Sequence, residues 1–172
     1  IGEGSDTQIK TIYPLNTLAE IVERCDSTGQ SFWEYVEECE GSEIWLFMKN
    51  IWRAMRNTLK RGLKAEGVLP GGLKVPRKAW SIYRKTINAG EHFKRQGLLS
   101  AYALAGAEEN AAGGQVVTAP TCGSCGVMPA VLRYMKETLP CPDGSILRAL
   151  ATGALIGNLI KRLRDMGASV IG

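Results

Sequence analysis

At 172 residues, 45% of them apolar, the chain is long enough for one domain with a real core, or one domain plus a short attached lobe. A formal charge of +4, spread along the sequence, argues only weakly for a nucleic-acid partner, and none is expected. The longest apolar run, residues 149–160, is too short and too glycine-broken to span a bilayer, which argues against a membrane partner.

An odd number of cysteines, five, with no signal peptide and no sign of a small secreted scaffold, points to a reducing cytoplasm. The first residue is Ile1 rather than Met, and Gly172 ends the chain in sequence that still reads as ordered. That is the pattern expected of a fragment or a processed chain.

Residues 1–16 are polar and lack periodicity, and read as an N-terminal tail or linker before a helical domain at 17–172. Asn16 is placed to cap a first helix with Leu18, Ile21 and Val22 as its apolar stripe, ending near Gly29. Ser31 starts a second, with Phe32, Tyr35 and Val36 inward and Glu34 in its first turn. Cys25 and Cys39 fall in these helices, where packed, inert thiols are the ordinary outcome.

A third helix, expected to be the longest, runs over 42–66. Trp45, Met48, Trp52, Met55, Leu59 and Leu63 recur at spacings of three and four, the mark of one buried face. Arg53, Arg56, Lys60 and Lys64 recur likewise on another side, either a solvated basic face or a surface for acidic partners. The run G-V-L-P-G-G-L-K-V-P (67–76) then imposes a shaped loop, in which Lys74 either reaches a carboxylate or stands in solvent.

A short helix follows over 79–86, and His92, the only histidine, has no Ser or Asp constellation around it. A hydrolytic triad is therefore not expected. From about Glu91 a helix carries Phe93, Leu98, Leu99, Tyr102 and Leu104 towards Glu108, Glu109 and Asn110. If it ends at Gly113, the two carboxylates sit beside the negative end of the helix dipole. That placement breaks a stability rule, as a proton-transferring base can, so Glu108 and Glu109 are candidate catalytic residues; the alternative is two glutamates in water.

The stretch 106–129, G-A-E-E-N-A-A-G-G-Q-V-V-T-A-P-T-C-G-S-C-G-V-M-P, organises the rest. Its small residues allow a ligand to approach the backbone, and Pro129 fits the first turn of a helix over 127–139, whose free N–H groups suit an anion. We read this as a pocket for a small carboxylate substrate. Thr118, Thr121, Cys122, Gly123 and Ser124 are its expected lining, with Asn110 and Lys74 as further candidate donors. A last helix, capped by Asp143 or Ser145, turns Ile146, Leu150, Leu155, Leu159 and Leu163 inward, and Gly153, Ala154 and Gly157 permit close helix contact. The fold class is all-α.

Cys122, Cys125 and Cys141 resemble three ligands of an iron–sulfur cluster at first sight. A helix of ten or more residues, about 15 Å, lies between the last two, too far for one cluster. The C-x-x-C pair alone could be a redox disulfide next to a helix start that lowers a thiol pKa, but the strand such motifs follow is missing. No metal ligand is assigned within these residues.

Taken together, the run 108–121, the C-G-S-C-G and V-M-P-A-V-L that follow it, A-E-G-V-L-P-G-G-L-K-V (65–75) and A-T-G-A-L-I-G-N-L-I-K-R (151–162) resemble the iron–sulfur-dependent L-serine dehydratases, in their α chain or catalytic domain. The resemblance implies an all-helical catalytic domain and β-elimination of L-serine to pyruvate and ammonia. It implies a 4Fe-4S cluster as Lewis acid for the departing hydroxyl and a base for the α-proton. The glycine-rich phosphate loop and Schiff-base lysine of pyridoxal-phosphate dehydratases are not apparent.

The chain also departs from the family. The cluster cysteines of the family follow the 151–162 block in a G-A-E-V-G-C-Q type motif, and this chain ends before any such cysteine. Residues 163–166 do not match the family's K-R-N-A-S-I-S-G. The β domain or β chain, with its serine- and histidine-bearing loop, is not seen upstream. The expectation is a fragment inactive by itself, working in a homo- or hetero-oligomer with that β part on a small amino acid. Two alternatives are an L-cysteine desulfidase on the same scaffold and a cofactor-free helical interaction module.

Overall fold

The computed structural model of the chain describes residues 12–118 and 122–165, the side chains of His92, Arg164 and Asp165 aside. These residues form seven helices: α1 (Leu18–Thr28), α2 (Phe32–Glu40), α3 (Ile44–Gly62), α4 (Ala79–Ile87), α5 (Glu91–Ala111), α6 (Ser124–Thr138) and α7 (Asp143–Asp165). Among the described residues the only β pairing is an isolated antiparallel bridge between Val68 and Pro76. The domain is all-α, as its periodicity predicts. No helix of the described residues is long and apolar enough to cross a membrane.

Local chemistry sets the helix starts. Thr17, not Asn16, is the N-cap of α1: its hydroxyl accepts from the Glu20 N–H at 3.3 Å, and the Glu20 carboxylate accepts from the N–H groups of Thr17 (2.8 Å) and Asn16 (2.9 Å). The Ser31 N–H donates to Glu34 at 2.7 Å in the same way at α2. The third helix stops at Gly62 and spans 19 residues, so α5 with 21 and α7 with 23 are longer.

Helix α3 is the spine of two adjoining cores. Its N-terminal half places Met48, Trp52 and Met55 against Ile21, Cys25, Tyr35 and Val36 of the first two helices, Leu132 of α6, and Ile146, Leu150 and Leu155 of α7. Its C-terminal half places Leu59 and Leu63 against Ala79, Ala101, Tyr102, Ala105 and Ala130. Both halves use the stripe read from spacing, whereas Arg53, Arg56, Lys60 and Lys64 are exposed. Four residues expected inside are largely exposed instead: Leu18 (47%), Val22 (37%), Phe93 (69%) and Leu163 (53%). Of the stripe expected in α1 only Ile21 is buried, and the helix turns Cys25, four residues further on, to the same side.

Two close helix crossings fix the second core. A Cβ built on Gly62 would stand 2.7 Å from the carbonyl carbon of Ala105 and 2.8 Å from its Cα, so α3 and α5 touch backbone to backbone. At the α5–α6 crossing, a Cβ on Gly106 would stand 2.7 Å from both the Cys125 carbonyl oxygen and the Gly126 Cα. The small residues of the C-G-S-C-G run are thus used at least in part to seat one helix on another.

Candidate functional site

Helix α5 ends as the sequence suggests, with Gly113 in the left-handed region (φ 75°), and the chain then crosses to α6. The crossing segment is tied to α3: the Gln115 carbonyl accepts from the Thr58 hydroxyl at 2.9 Å and from Arg61 Nη2 at 2.6 Å. Residues 116–118 form no strand. Helix α6 starts at Ser124, a turn earlier than expected, so Pro129 lies inside it rather than in its first turn. The backbone N–H groups of Cys125 and Gly126 already donate to the carbonyls of Cys122 (3.2 Å) and Gly123 (3.4 Å). The helix start therefore offers fewer donors to an anion than its sequence suggests.

A cavity of about 330 Å³ opens beside this crossing. Its floor is apolar, from Met48, Ile51, Met55, Met128 and Leu150, and its polar groups are Tyr13, Glu40, Thr118, Ser124 and Asn158. Gly153 makes room in the wall, since a Cβ there would stand 2.9 Å from Met128 Cε. Tyr13 is held at the rim by a hydrogen bond between its hydroxyl and the Glu40 carboxylate; burial first, then this bond and its negative charge, push the phenol well above its usual range. The volume and the few polar groups on an apolar lining match a small-molecule pocket.

The expected site residues divide over this geometry. Thr118 and Ser124 meet in the cavity. Cys122 and Gly123 are exposed at the turn into α6, Asn110 is half-buried in the last turn of α5, and Thr121 lies outside the described residues. Lys74 is not among the residues that line the cavity. It is the one described non-glycine residue with left-handed backbone (φ 47°), in a hairpin closed by the Leu69 N–H donating to Val75 and the Arg77 N–H to Gly67, each at 2.8 Å.

Glu108 and Glu109 are buried in the last turn of α5, with 5% and 7% of their surface exposed. The cost of that placement is offset by donors no spacing rule displays. Glu109 pairs with Arg61 Nε at 2.9 Å and Arg77 Nη1 at 3.3 Å. Glu108 Oε1 accepts from the N–H groups of Lys78 (2.6 Å) and Ala79 (3.1 Å) and so caps α4. Its other oxygen, Oε2, is buried without a hydrogen-bond partner among the described residues. Neither carboxylate lines the cavity.

Among the described residues all five cysteines are free thiols. Among the described residues no three His, Cys, Asp or Glu side chains converge on a common point. Cys125 is 2% exposed and lies within the first turn of α6; burial pushes its thiol up, where a helix start was expected to pull it down. Cys141 lies beyond the far end of the 15-residue α6, about 22 Å away along the helix at ~1.5 Å per residue. Burial likewise raises the thiols of Cys25 and Cys39. The side chain of His92 is outside the described set.

Sequence reasoning missed Tyr13, Glu40 and Asn158 in the cavity, and Arg61 and Arg77 under Glu109. Asn158 carried a signal, since it stands four residues after Ala154 and so shares its face of α7. Glu40, the last residue of a helix, carried none.

The chain belongs to the family described as serine dehydratase alpha chain, whose family model matches residues 13–172. It is 35% identical to L-serine dehydratase 2 of Escherichia coli K12 over 99% of its own length and 39% of that protein's. It is 35% identical to an L-serine dehydratase of Haemophilus influenzae, over 99% of this chain and 39% of the relative. With an L-serine dehydratase of Streptomyces coelicolor the identity is 38%, over 97% of this chain and 38% of the relative. The chain thus spans about two fifths of the length of the curated relatives it matches.

Proposed function

We propose that this chain is part of the catalytic domain of an L-serine dehydratase, and that the cavity beside the α5–α6 crossing is its amino-acid pocket. The observation that carries the reading is the meeting of Thr118 and Ser124 with Asn158 and Glu40 around one apolar-floored volume of about 330 Å³. An amino-acid zwitterion needs donors for its carboxylate and an acceptor for its ammonium. The Thr118 and Ser124 hydroxyls and the Asn158 amide supply the first, and Glu40 supplies the second. The relatives' printed activity and the family membership support the substrate class.

Elimination also requires a base at the α-carbon. Glu108 and Glu109 remain the candidates, and Glu108 is the better one because Oε2 is uncommitted while both oxygens of Glu109 hold arginines. For Glu108 to act, the substrate must reach the α5 side of the crossing segment. The cofactor we propose is a 4Fe-4S cluster, which supplies Lewis-acid help to a departing hydroxyl. The described residues do not fit it, since no three thiolate or other ligands among them converge, so the reading places its ligands elsewhere in the full-length enzyme. A small amino acid is the proposed substrate, a β part of the same enzyme the proposed partner, and the cytoplasm the proposed location.

Serine turnover by the full-length protein tests this. Thr118→Val and Asn158→Ala should raise KM for L-serine several-fold, and unchanged constants in both would remove the pocket assignment. Glu108→Gln keeps an oxygen for the α4 cap, so loss of a base should lower kcat by about 10²-fold or more with little change in stability. Wild-type kcat in that variant would strike Glu108 from the mechanism. Comparing serine with cysteine as substrate decides against or for a desulfidase on the same scaffold.

A further inference from the structure

We propose that the groove between α3 and α6 is a second ligand site, built for a small polyanion bearing phosphate or carboxylate groups. The groove has a volume of about 580 Å³ and is lined by Trp52, Arg56, Asn57 and Lys60 from α3 and by Arg133, Lys136 and Glu137 from α6. It shares no lining residue with the cavity described above. Four cations face one carboxylate, and that carboxylate is spent. Glu137 Oε1 accepts from Arg133 Nε at 2.8 Å, and its Oε2 accepts from the Tyr102 hydroxyl at 2.5 Å.

The arrangement around Arg133 separates this groove from an ordinary solvated basic face. Its guanidinium lies 4.3 Å from the centroid of the Tyr102 ring, the same side chain whose hydroxyl holds Glu137. Tyr102 is 1% exposed and belongs to the second core. Three side chains thus close a ring, Tyr102 to Glu137 to Arg133 and back, anchored in buried structure. A free surface arginine loses rotamer freedom when it grips an anion; this one has lost it already. Its Nε–H is used, and its two Nη groups carry no hydrogen bond among the described residues.

Facing it, Arg56 rests 5.6 Å from the Trp52 ring centroid, and neither Arg56 nor Lys60 has an ion-pair partner among the described residues. They stand four residues apart, hence on one face of α3. Lys136 donates to the Cys141 carbonyl at 2.9 Å and pairs with the exposed Asp143 at 2.8 Å, and of these two contacts the exposed ion pair is one that an incoming anion displaces at little cost. Guanidinium forks suit the planar oxygens of carboxylate and phosphate. A concave volume with cations converging from two helices fits a small molecule better than a flat protein face.

Calorimetric titration of the full-length protein with sodium pyrophosphate and, separately, with citrate tests the proposal. Saturable binding of one ligand per chain is expected, weakening as ionic strength rises. The tighter of the two anions identifies phosphate or carboxylate as the natural group. Arg56→Gln and Lys60→Gln, both at exposed positions, should each weaken binding by about tenfold, the usual loss for a hydrogen bond to a charged group. Arg133→Lys, which keeps the charge but not the fork, should weaken it similarly. Arg53→Gln, on the same helix outside the groove, should leave it unchanged. The proposal falls if neither anion binds saturably, or if Arg53→Gln costs as much as Arg56→Gln. It falls also if Arg56→Gln abolishes self-association without affecting either anion, because the groove then belongs to a second copy.

Discussion

Replacing Gly106 by Ala puts a methyl group where two backbone atoms already stand. The new Cβ would be 2.7 Å from the Cys125 carbonyl oxygen and 2.7 Å from the Gly126 Cα, against 3.4–4 Å for ordinary contact. Neither atom belongs to a side chain that can rotate away, so α5 and α6 must separate by about 0.7 Å, a gap that forfeits roughly a quarter to a half of each dispersion contact along the seam. Overpacking of this kind costs about 1–3 kcal/mol, and two simultaneous backbone clashes place it at the upper end. The better helix propensity of Ala returns about 1 kcal/mol. The net loss is about 2 kcal/mol, or a Tm lower by roughly 4–8 °C for a domain of this size. Thermal unfolding by circular dichroism measures it, with Gly144→Ala as the control. Nothing stands within 4 Å of a Cβ at Gly144, so that variant should gain up to about 1 kcal/mol. If Gly106→Ala is as stable as the parent chain, the backbone-contact reasoning is wrong.

Arg77→Ala leaves the buried Glu109 carboxylate with only the half-exposed Arg61 as a partner. Stability in urea should fall by about 3 kcal/mol, and amide exchange in the 67–77 hairpin should quicken; unchanged exchange there would deny the pair its anchoring role. At α1, the N–H groups of Asn16 and then Thr17 hold the Glu20 carboxyl below its usual range. A depressed folded pKa means the stabilisation is complete above the ordinary carboxylate pKa and disappears as pH falls through the lower folded value. Glu20→Gln should therefore flatten the acid limb of a stability-against-pH curve, and an unaltered limb would show that the capping box contributes nothing. Iodoacetamide at neutral pH should alkylate the exposed Cys122 well before the buried Cys125, whose thiol burial keeps protonated. Mass spectrometry finding Cys125 modified first would overturn that assignment.

The sequence by itself determined the all-α class, the buried face of α3, the stop of α5 before Gly113 and the family resemblance. Each is written in spacing or in a contiguous motif, and spacing survives whatever the helices later pack against. It also placed two acids in a helix's last turn and Thr118 beside Ser124. Only the tertiary structure decided what those groups meet. Arg61 and Arg77 come from 48 and 32 residues away to neutralise Glu109, and the Lys78 N–H from 30 residues away to hold Glu108. Gly126 looked like room for a ligand and serves a helix crossing, because a missing side chain reads the same whichever neighbour exploits it. Asn158 and Glu40 joined Thr118 only when α7 and α2 folded around one cavity. A chain's order records which groups are adjacent along the backbone. Burial, ion pairing and pocket shape depend on which faces are brought together, and that is settled by packing.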